Sequence, residues 1–208
     1  MEYKKTIRLK DGRECVLRNG TPEDAQAVLE NFLLTRGQTD NLASYPDEST
    51  LTVEQERAYL QKRAENAFEI HLLAEVDGKV VGTAGVDRLA SYAKARHRAG
   101  FGISIDRAYW GLGIGRALTQ ACIECARTAG YAQLELEVVA DNRSALALYE
   151  SEGFIEYGRN PKGFRSRTSG WQELVLMRLE LENGEYLKKQ MNGDVSSLRK
   201  GKKVKESP

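Results

Sequence analysis

The chain contains little cysteine, histidine or proline. Its 208 residues include three cysteines, two histidines and four prolines. An odd, small number of cysteines without framework spacing excludes the disulfide scaffold of small secreted domains. Cys122 and Cys125 form a C-x-x-C pair, but no second Cys or His pair completes a zinc site, so no metal is expected. The pair falls on the apolar face of a predicted helix, which favours core packing.

Long apolar runs and an excess of one charge are also missing. No run approaches the roughly 20 residues that span a bilayer, and the first 14 residues lack the apolar segment of a secretory signal. Lys and Arg total 31 against 30 Asp and Glu, a net charge of +1. This balance gives no general support for nucleic-acid binding. The absences predict a soluble, cytoplasmic protein that does not associate with membranes.

Positive charge is concentrated at the C-terminus. Residues 185–208 contain seven Lys and Arg against three Asp and Glu and few large apolar residues. This composition predicts a mobile basic tail that follows a single domain over residues 1–184. Nucleic acid is expected to bind through this tail if it binds at all. A solvated tail without a partner is the simpler interpretation.

Hydrophobic periodicity predicts the element order β-α-α-β-β-β-α-β-α-β-β. Thr21 and Thr52 are predicted to cap the first two helices, and Asp77-Gly78 is a strong signal for a two-residue hairpin turn. A long helix is expected from Gly113 to Gly130. The order predicts an α+β fold, with a mixed, mainly antiparallel sheet of six to seven strands and helices on both faces.

The stretch "YWGLGIGRAL" concentrates three glycines, Gly111, Gly113 and Gly115, where a strand is expected to lead into the long helix. Backbone N–H groups and the helix dipole at such a junction suit an anion, above all a phosphate. The loop is not a P-loop, because Arg116-Ala117 follows where Lys-Ser/Thr is needed. It also lacks the third glycine of the G-x-G-x-x-G fingerprint, and a plain turn remains an alternative.

A second motif follows about 30 residues later, "NRSALALYESEGF", with Asn142, Ala145, Tyr149 and Gly153 at fixed offsets. A glycine loop that opens a helix, then a strand, then this motif resembles the GCN5-related N-acetyltransferase (GNAT) superfamily, microbial type. The resemblance covers roughly residues 14–183. It implies an enzyme that transfers acetyl from acetyl-CoA to a primary amine by direct attack in a ternary complex.

The resemblance implies a role for each element near the loop. The pyrophosphate of acetyl-CoA, the only cofactor implied, would bind to Gly111, Leu112, Gly113, Ile114 and Gly115. Arg116 would add a nearby cation, whereas Trp110 departs from the family's Arg or Gln. The preceding strand would splay from its neighbour and pair with the pantetheine arm through Ile103, Ser104 and Ile105, and one of its N–H groups would stabilise the oxyanion.

The second motif is expected to supply the general acid and further cofactor contacts. Tyr149 would touch the cofactor and protonate the leaving thiolate, although a tyrosine that only packs the helix is the alternative. Asn142 and Ala145 would contact the cofactor arm. Asn142 is equally suited to cap the helix, and both roles are compatible.

The amine must also lose a proton, and several groups are candidates for the base. Glu135 and Glu137 alternate on one predicted strand and therefore point to the same face. A solvated strand face is the ordinary explanation for such a pair. Asp106 and His97 are further candidates.

The acceptor is not defined by the sequence. A small-molecule amine and a protein amine both remain open, as does a homodimer. Four cations between residues 159 and 167 either meet an acidic group of the substrate or cofactor, or belong to a solvated hairpin. A non-catalytic acyl-CoA-binding or sensor domain on the same fold is the alternative function.

Overall fold

The computed structural model describes residues 1–181, and the basic tail predicted for 185–208 lies outside them. The four helices are α1 (Ala25–Gln38), α2 (Val53–Ala64), α3 (Ile114–Thr128) and α4 (Arg143–Ser151). The strands are β1 (Lys4–Arg8), β2 (Glu14–Asn19), β3 (Ile70–Val76), β4 (Lys79–Arg88), β5 (Arg98–Ile105), β6 (Gln133–Val139), β7 (Ile155–Ser166) and β8 (Gly170–Glu180). Within residues 1–181, no helix is long and apolar enough to cross a bilayer.

All eight strands form one sheet in the order β1-β2-β3-β4-β5-β6-β8-β7. Every neighbouring pair is antiparallel except β5 and β6, which run parallel. The α+β class and the mainly antiparallel sheet are therefore confirmed, but the expected six to seven strands are too few. The missed strand is β1, sequence KKTIR, which pairs with β2 at the sheet edge. Its charged, exposed side chains give no apolar alternation, and such charges protect a sheet edge from further pairing.

The sheet has helices on both faces, as predicted. The larger core lies beneath α3 and α4 and includes Leu118 and Cys122 of α3 and Leu72 of β3. The smaller core lies beneath α1 and α2, where Leu60 packs with Leu73 of β3. Leu72 and Leu73 enter different cores because successive strand residues point to opposite faces.

Most local signals in the sequence have the predicted conformations, but Thr21 does not cap α1: a 3-10 turn over Pro22–Asp24 follows it, and α1 begins at Ala25. Asp77 (φ 50°) and Gly78 (φ 76°) form the β3–β4 turn in the left-handed region. Thr52 accepts a hydrogen bond from the Gln55 N–H at 3.2 Å and caps α2. Cys122 and Cys125 are both buried, which confirms core packing, and burial raises the pKa of Cys125 to about 12.

Candidate functional site

The two parallel strands at the centre of the sheet separate along their length. β5 and β6 pair only where Arg98–Gly100 meets Gln133–Glu135. Beyond that point β5 continues to Ile105 and β6 to Val139, each held on its other edge by an antiparallel neighbour. The facing edges of β5 and β6 are therefore unpaired with each other toward the carboxyl ends of both strands, and we call this opening the gap between β5 and β6. Ile103, Ser104 and Ile105, the segment predicted to splay, lie along one side of this gap.

The glycine loop lies at the end of β5 and opens α3. Gly111 has φ 76° and Gly113, the residue that caps α3, has φ 102°. A Cβ added at either position would meet nothing within 4 Å, so the loop backbone faces open space. The first backbone bond into the helix runs from the Ala117 N–H to the Gly113 carbonyl, at 3.2 Å. The N–H groups of the first helical turn are therefore free to bind an anion at this end of α3.

The remaining loop residues hold the loop in place. Gly115 lies in the first turn of α3, where an added Cβ would stand 3.4 Å from Leu148 and 3.5 Å from Ile105. Ile114 is buried. The Leu112 carbonyl accepts a hydrogen bond from the Lys10 N–H at 3.2 Å. The third glycine therefore permits close packing, whereas the first two permit the backbone conformation.

Arg116 and Trp110 flank this loop and make different contacts. The Arg116 guanidinium donates to Glu152 at 2.6 Å and to the Ser151 hydroxyl at 3.0 Å, which ties α3 to the end of α4. Its predicted contact with the cofactor phosphate stays a prediction, since these groups already engage it. Trp110 donates its indole N–H to the Ile105 carbonyl at 2.8 Å and joins the loop to the end of β5.

Tyr149 lies on the inner face of α4 and is 7% exposed. Its ring packs edge-on against Phe101 of β5, with centroids 6.0 Å apart, and against Phe154 at 5.8 Å. No side-chain hydrogen bond of the hydroxyl is found among residues 1–181. Burial raises the pKa of Tyr149 to about 12, so the phenol keeps its proton at neutral pH. Tyr149 can therefore pack in the core and also serve as a general acid.

Asn142 caps α4, and this interpretation of the residue is confirmed. Its Oδ1 accepts from the Ala145 N–H at 3.3 Å and from the Ser144 hydroxyl at 3.1 Å. Ala145 is half-buried against the larger core. The contacts of both residues with a cofactor stay predictions.

The structure separates the two glutamates that the sequence could not distinguish. Both lie on the face of β6 opposite the larger core. Glu135 is buried and paired with Arg98, whose second nitrogen lies 2.6 Å from Oε2, and Tyr157 donates to the same oxygen at 3.4 Å. The hydrogen bond from Arg98 lowers the pKa of Glu135, which makes it a poor base. Glu137 is exposed.

Asp106 is occupied by structural contacts. Its Oδ1 accepts from Gln38 Nε2 at 2.9 Å and from the Ala108 N–H at 3.1 Å, and Lys79 lies 3.3 Å from Oδ2. Burial opposes ionisation of this carboxyl, but the hydrogen bond from Gln38 and the other two contacts outweigh it and lower the pKa. The same Gln38 side chain accepts from the Arg107 N–H at 2.8 Å. Asp106 therefore fastens the end of α1 to the segment before the glycine loop.

A polar cluster that the sequence did not reveal joins the α1–α2 loop to the β7–β8 turn. The Asp40 carboxylate accepts from three hydroxyls of that turn, Ser166, Thr168 (3.3 Å) and Ser169 (3.0 Å). The Tyr45 hydroxyl donates to the same carboxylate at 3.1 Å. We call this set of contacts the Asp40 clasp. No sequence motif marks it, because Asp40 and the three hydroxyls of the turn are more than 100 residues apart.

The four cations between residues 159 and 167 are engaged within the protein. Arg167 lies 2.8 Å from both oxygens of Asp47, and Arg159 pairs with two carboxylates of its own hairpin. Lys162 and Arg165 each lie 5.4 Å from the centre of the exposed Trp171 ring. Of the two interpretations, the structure favours the hairpin over a cluster that awaits an acidic substrate group.

Comparison with known proteins identifies the family of this protein. A model of the acetyltransferase (GNAT) family matches residues 37–154, more than half of the chain. The chain therefore belongs to the GNAT acetyltransferase family.

Individual relatives agree with this assignment. An Escherichia coli alanine N-acetyltransferase of a ribosomal protein is 38% identical over 81 residues, 39% of this chain and 54% of that enzyme. The chain thus spans about a third to half of the length of curated relatives that it matches.

Solved structures agree with the fold. A GNAT acetyltransferase from Streptococcus pneumoniae has a TM-score of 0.75 and 28% identity, over 80% of this chain and 99% of that chain. The yncA protein of Salmonella typhimurium, solved with its cofactor acetyl-CoA, has a TM-score of 0.72 and 22% identity, over 81% of this chain and 94% of that one. At that identity it supports the fold alone.

Proposed function

We propose that this protein transfers the acetyl group of acetyl-CoA to a primary amine by direct attack in a ternary complex. The observation that carries the proposal is the gap between β5 and β6, which ends beside a glycine loop with open space over its backbone. A strand with an unpaired edge suits the amides of an extended pantetheine chain, and the loop suits a diphosphate. The residues present therefore fit acetyl-CoA.

The gap also brings the two faces of the sheet to one place. Tyr149 approaches from the face covered by α3 and α4, whereas Glu137 points to the opposite face. A thioester held between the strands would be reached from both sides. This arrangement supports Tyr149 as general acid and Glu137, rather than Glu135, as general base.

The bound substrate supplies a thioester that is activated toward amines, and the protein's residues move the protons. The amine nitrogen attacks the carbonyl carbon, and its proton goes to Glu137. A backbone N–H of the Ile103–Ile105 segment stabilises the negative charge on oxygen. The carbon–sulfur bond then breaks, and the Tyr149 hydroxyl gives its proton to the thiolate.

The acceptor class remains broad in this proposal. A protein amine is supported by the likeness to the E. coli enzyme that acts on a ribosomal protein, and a small-molecule amine is equally compatible with the exposed position of Glu137. We infer that the enzyme acts in the cytoplasm, as its reduced, buried cysteines suggest.

A turnover assay tests the proposal. Release of free thiol from acetyl-CoA is measured with a panel of small amines and peptides, and Tyr149→Phe is expected to lower kcat about 100-fold while coenzyme A binding is unchanged. Because the pKa of Tyr149 is about 12, its deprotonation should cause no loss of activity between pH 7 and 10. Tyr131→Phe is the matched control, since Tyr131 is another buried tyrosine whose hydroxyl has no hydrogen-bond partner within the described part of the chain.

The assay also separates the alternatives. Binding of coenzyme A without turnover of any acceptor would indicate a sensor domain instead of an enzyme. Glu137→Gln should lower the rate at neutral pH and recover it at high pH, where the amine is already deprotonated. Glu135→Gln should instead destabilise the fold by leaving Arg98 without its partner.

A further inference from the structure

A large aromatic side chain is held in an exposed position beside the glycine loop. Trp110 is 46% exposed, although tryptophan usually buries most of its surface. Its indole N–H is bonded to the Ile105 carbonyl at 2.8 Å, so its polar group is satisfied and its orientation is fixed. The ring thus presents a preorganised apolar surface one residue before Gly111.

A cation lies against this ring. The Arg107 guanidinium is centred 5.3 Å from the Trp110 ring centroid, within the range of a cation–π contact. Arg107 is exposed, and within residues 1–181 its side chain forms no ion pair, in contrast to Arg116 on the other side of the loop. The two residues together form a fixed aromatic surface with an available positive charge.

We propose that Trp110 and Arg107 form the subsite for the adenosine 3′-phosphate end of coenzyme A. This inference rests on the proposed function, which places the diphosphate at Gly111–Gly115. The nucleoside is attached directly to that diphosphate, so it must lie close to the loop. Adenine stacks on exposed indole rings, and a guanidinium is the side chain best suited to a phosphate.

The proposal also explains the unusual residue at the start of the loop. The indole N–H fixes the loop to β5, and the exposed ring gains a role that an Arg or Gln at this position would not fill. Trp110 therefore combines a structural hydrogen bond with a binding surface. A purely structural role predicts no optical response to a nucleotide.

Tryptophan fluorescence with adenosine 3′,5′-bisphosphate tests the subsite without a thioester. The chain has two tryptophans, so Trp171→Phe leaves Trp110 as the reporter. Saturable quenching is expected with this nucleotide. In steady-state assays, Trp110→Leu should raise the KM for acetyl-CoA about tenfold and leave the KM for S-acetyl-pantetheine unchanged.

A pair of arginine variants tests the proposed contact with the 3′-phosphate. Arg107→Gln should weaken binding of adenosine 3′,5′-bisphosphate about tenfold but leave binding of adenosine 5′-monophosphate unchanged. Arg143→Gln is the matched variant, because Arg143 is an exposed arginine at the start of α4.

Two results would overturn the inference. The first is that saturating nucleotide does not quench the fluorescence of Trp110. The second is that Arg143→Gln loses the preference for adenosine 3′,5′-bisphosphate over adenosine 5′-monophosphate while Arg107→Gln keeps it. Quenching by the nucleotide without acetyl transfer would support the subsite and refute the enzymatic function. Acetyl transfer without quenching would support the enzymatic function and refute the subsite.

Discussion

At the residue scale, His71 is the side chain with the clearest dependence on pH. Within residues 1–181 its Nε2 is buried without a hydrogen-bond partner, and its ring packs edge-on against Tyr59, with centroids 5.6 Å apart. Burial, with a smaller contribution from the charge of Arg63, lowers the pKa of His71 from 6.5 to about 4. The folded protein therefore holds this imidazole neutral, whereas the unfolded chain binds a proton below pH 6.5.

This difference predicts a loss of stability in mild acid. The contribution of neutral His71 is complete above pH 6.5 and disappears as pH falls toward 4, by about 3 kcal/mol in total. His71→Phe keeps an aromatic ring next to Tyr59 and should flatten the stability profile over that range. The free energy of unfolding in urea, measured from pH 4 to 7, checks this; an unchanged slope in the variant would contradict it.

At the element scale, the strand–loop–helix junction depends on two glycines with positive φ, Gly111 and Gly113. Gly111 has the same φ, 76°, as Gly78 of the β3–β4 turn, and a Cβ added at either of these two positions would meet nothing within 4 Å. Alanine at either position should destabilise the fold by about 1 kcal/mol through the left-handed conformation alone. Only Gly111→Ala should also weaken coenzyme A binding, because its methyl group would stand where a phosphate oxygen must approach.

Gly78→Ala is thus a control that matches both backbone conformation and open space, on the β3–β4 turn rather than in the glycine loop. Thermal unfolding measures the loss of stability that both variants should share, and calorimetry with coenzyme A measures the difference in affinity between them. Equal affinities in both would mean that the loop backbone is not the diphosphate site.

At the scale of the whole molecule, the Asp40 clasp joins the α1–α2 loop to the distant β7–β8 turn. We expect these segments to flank the acceptor, since a cavity lies between them that is lined by Asp40 and Tyr45 on one side and Phe164 on the other. Asp40→Ala removes the acceptor of four hydroxyl hydrogen bonds and should raise the KM for the amine about tenfold, with the KM for acetyl-CoA within twofold. Steady-state kinetics with both substrates varied measures the two effects separately.

A second variant distinguishes loss of the clasp from general weakening of the hairpin. Arg159→Gln removes the ion pairs with Glu156 of β7 and Glu173 of β8, both of which lie within the hairpin itself. Its KM for the amine should stay near that of the wild type. A similar rise in both variants would show that hairpin stability, rather than the clasp, controls acceptor binding.

Much of the fold was predictable because its signals are local. The Asp77-Gly78 turn, the Thr52 and Asn142 caps and the apolar face of α3 each depend on residues only a few positions apart. Strand β1 was missed because its sequence contains no apolar alternation, and it is a strand only through its pairing with β2.

The candidate site was predictable to the same extent. Its glycine loop and tyrosine motif are contiguous in sequence, and a period of two correctly put Glu135 and Glu137 on one face. The two glutamates differ through Arg98, which reaches Glu135 from β5 across the parallel pairing. Spacing along one strand contains no information about a partner on another.

The amino-acid sequence alone determined the family, the helices and turns, and the glycine loop, because each rests on short-range patterns of side chains and backbone freedom. The tertiary structure decided the gap between β5 and β6, the availability of Glu137, the exposed Trp110–Arg107 pair and the Asp40 clasp. These features arise where segments far apart in the chain meet. Burial, charge and hydrogen-bond partners there depend on three-dimensional packing rather than on sequence separation.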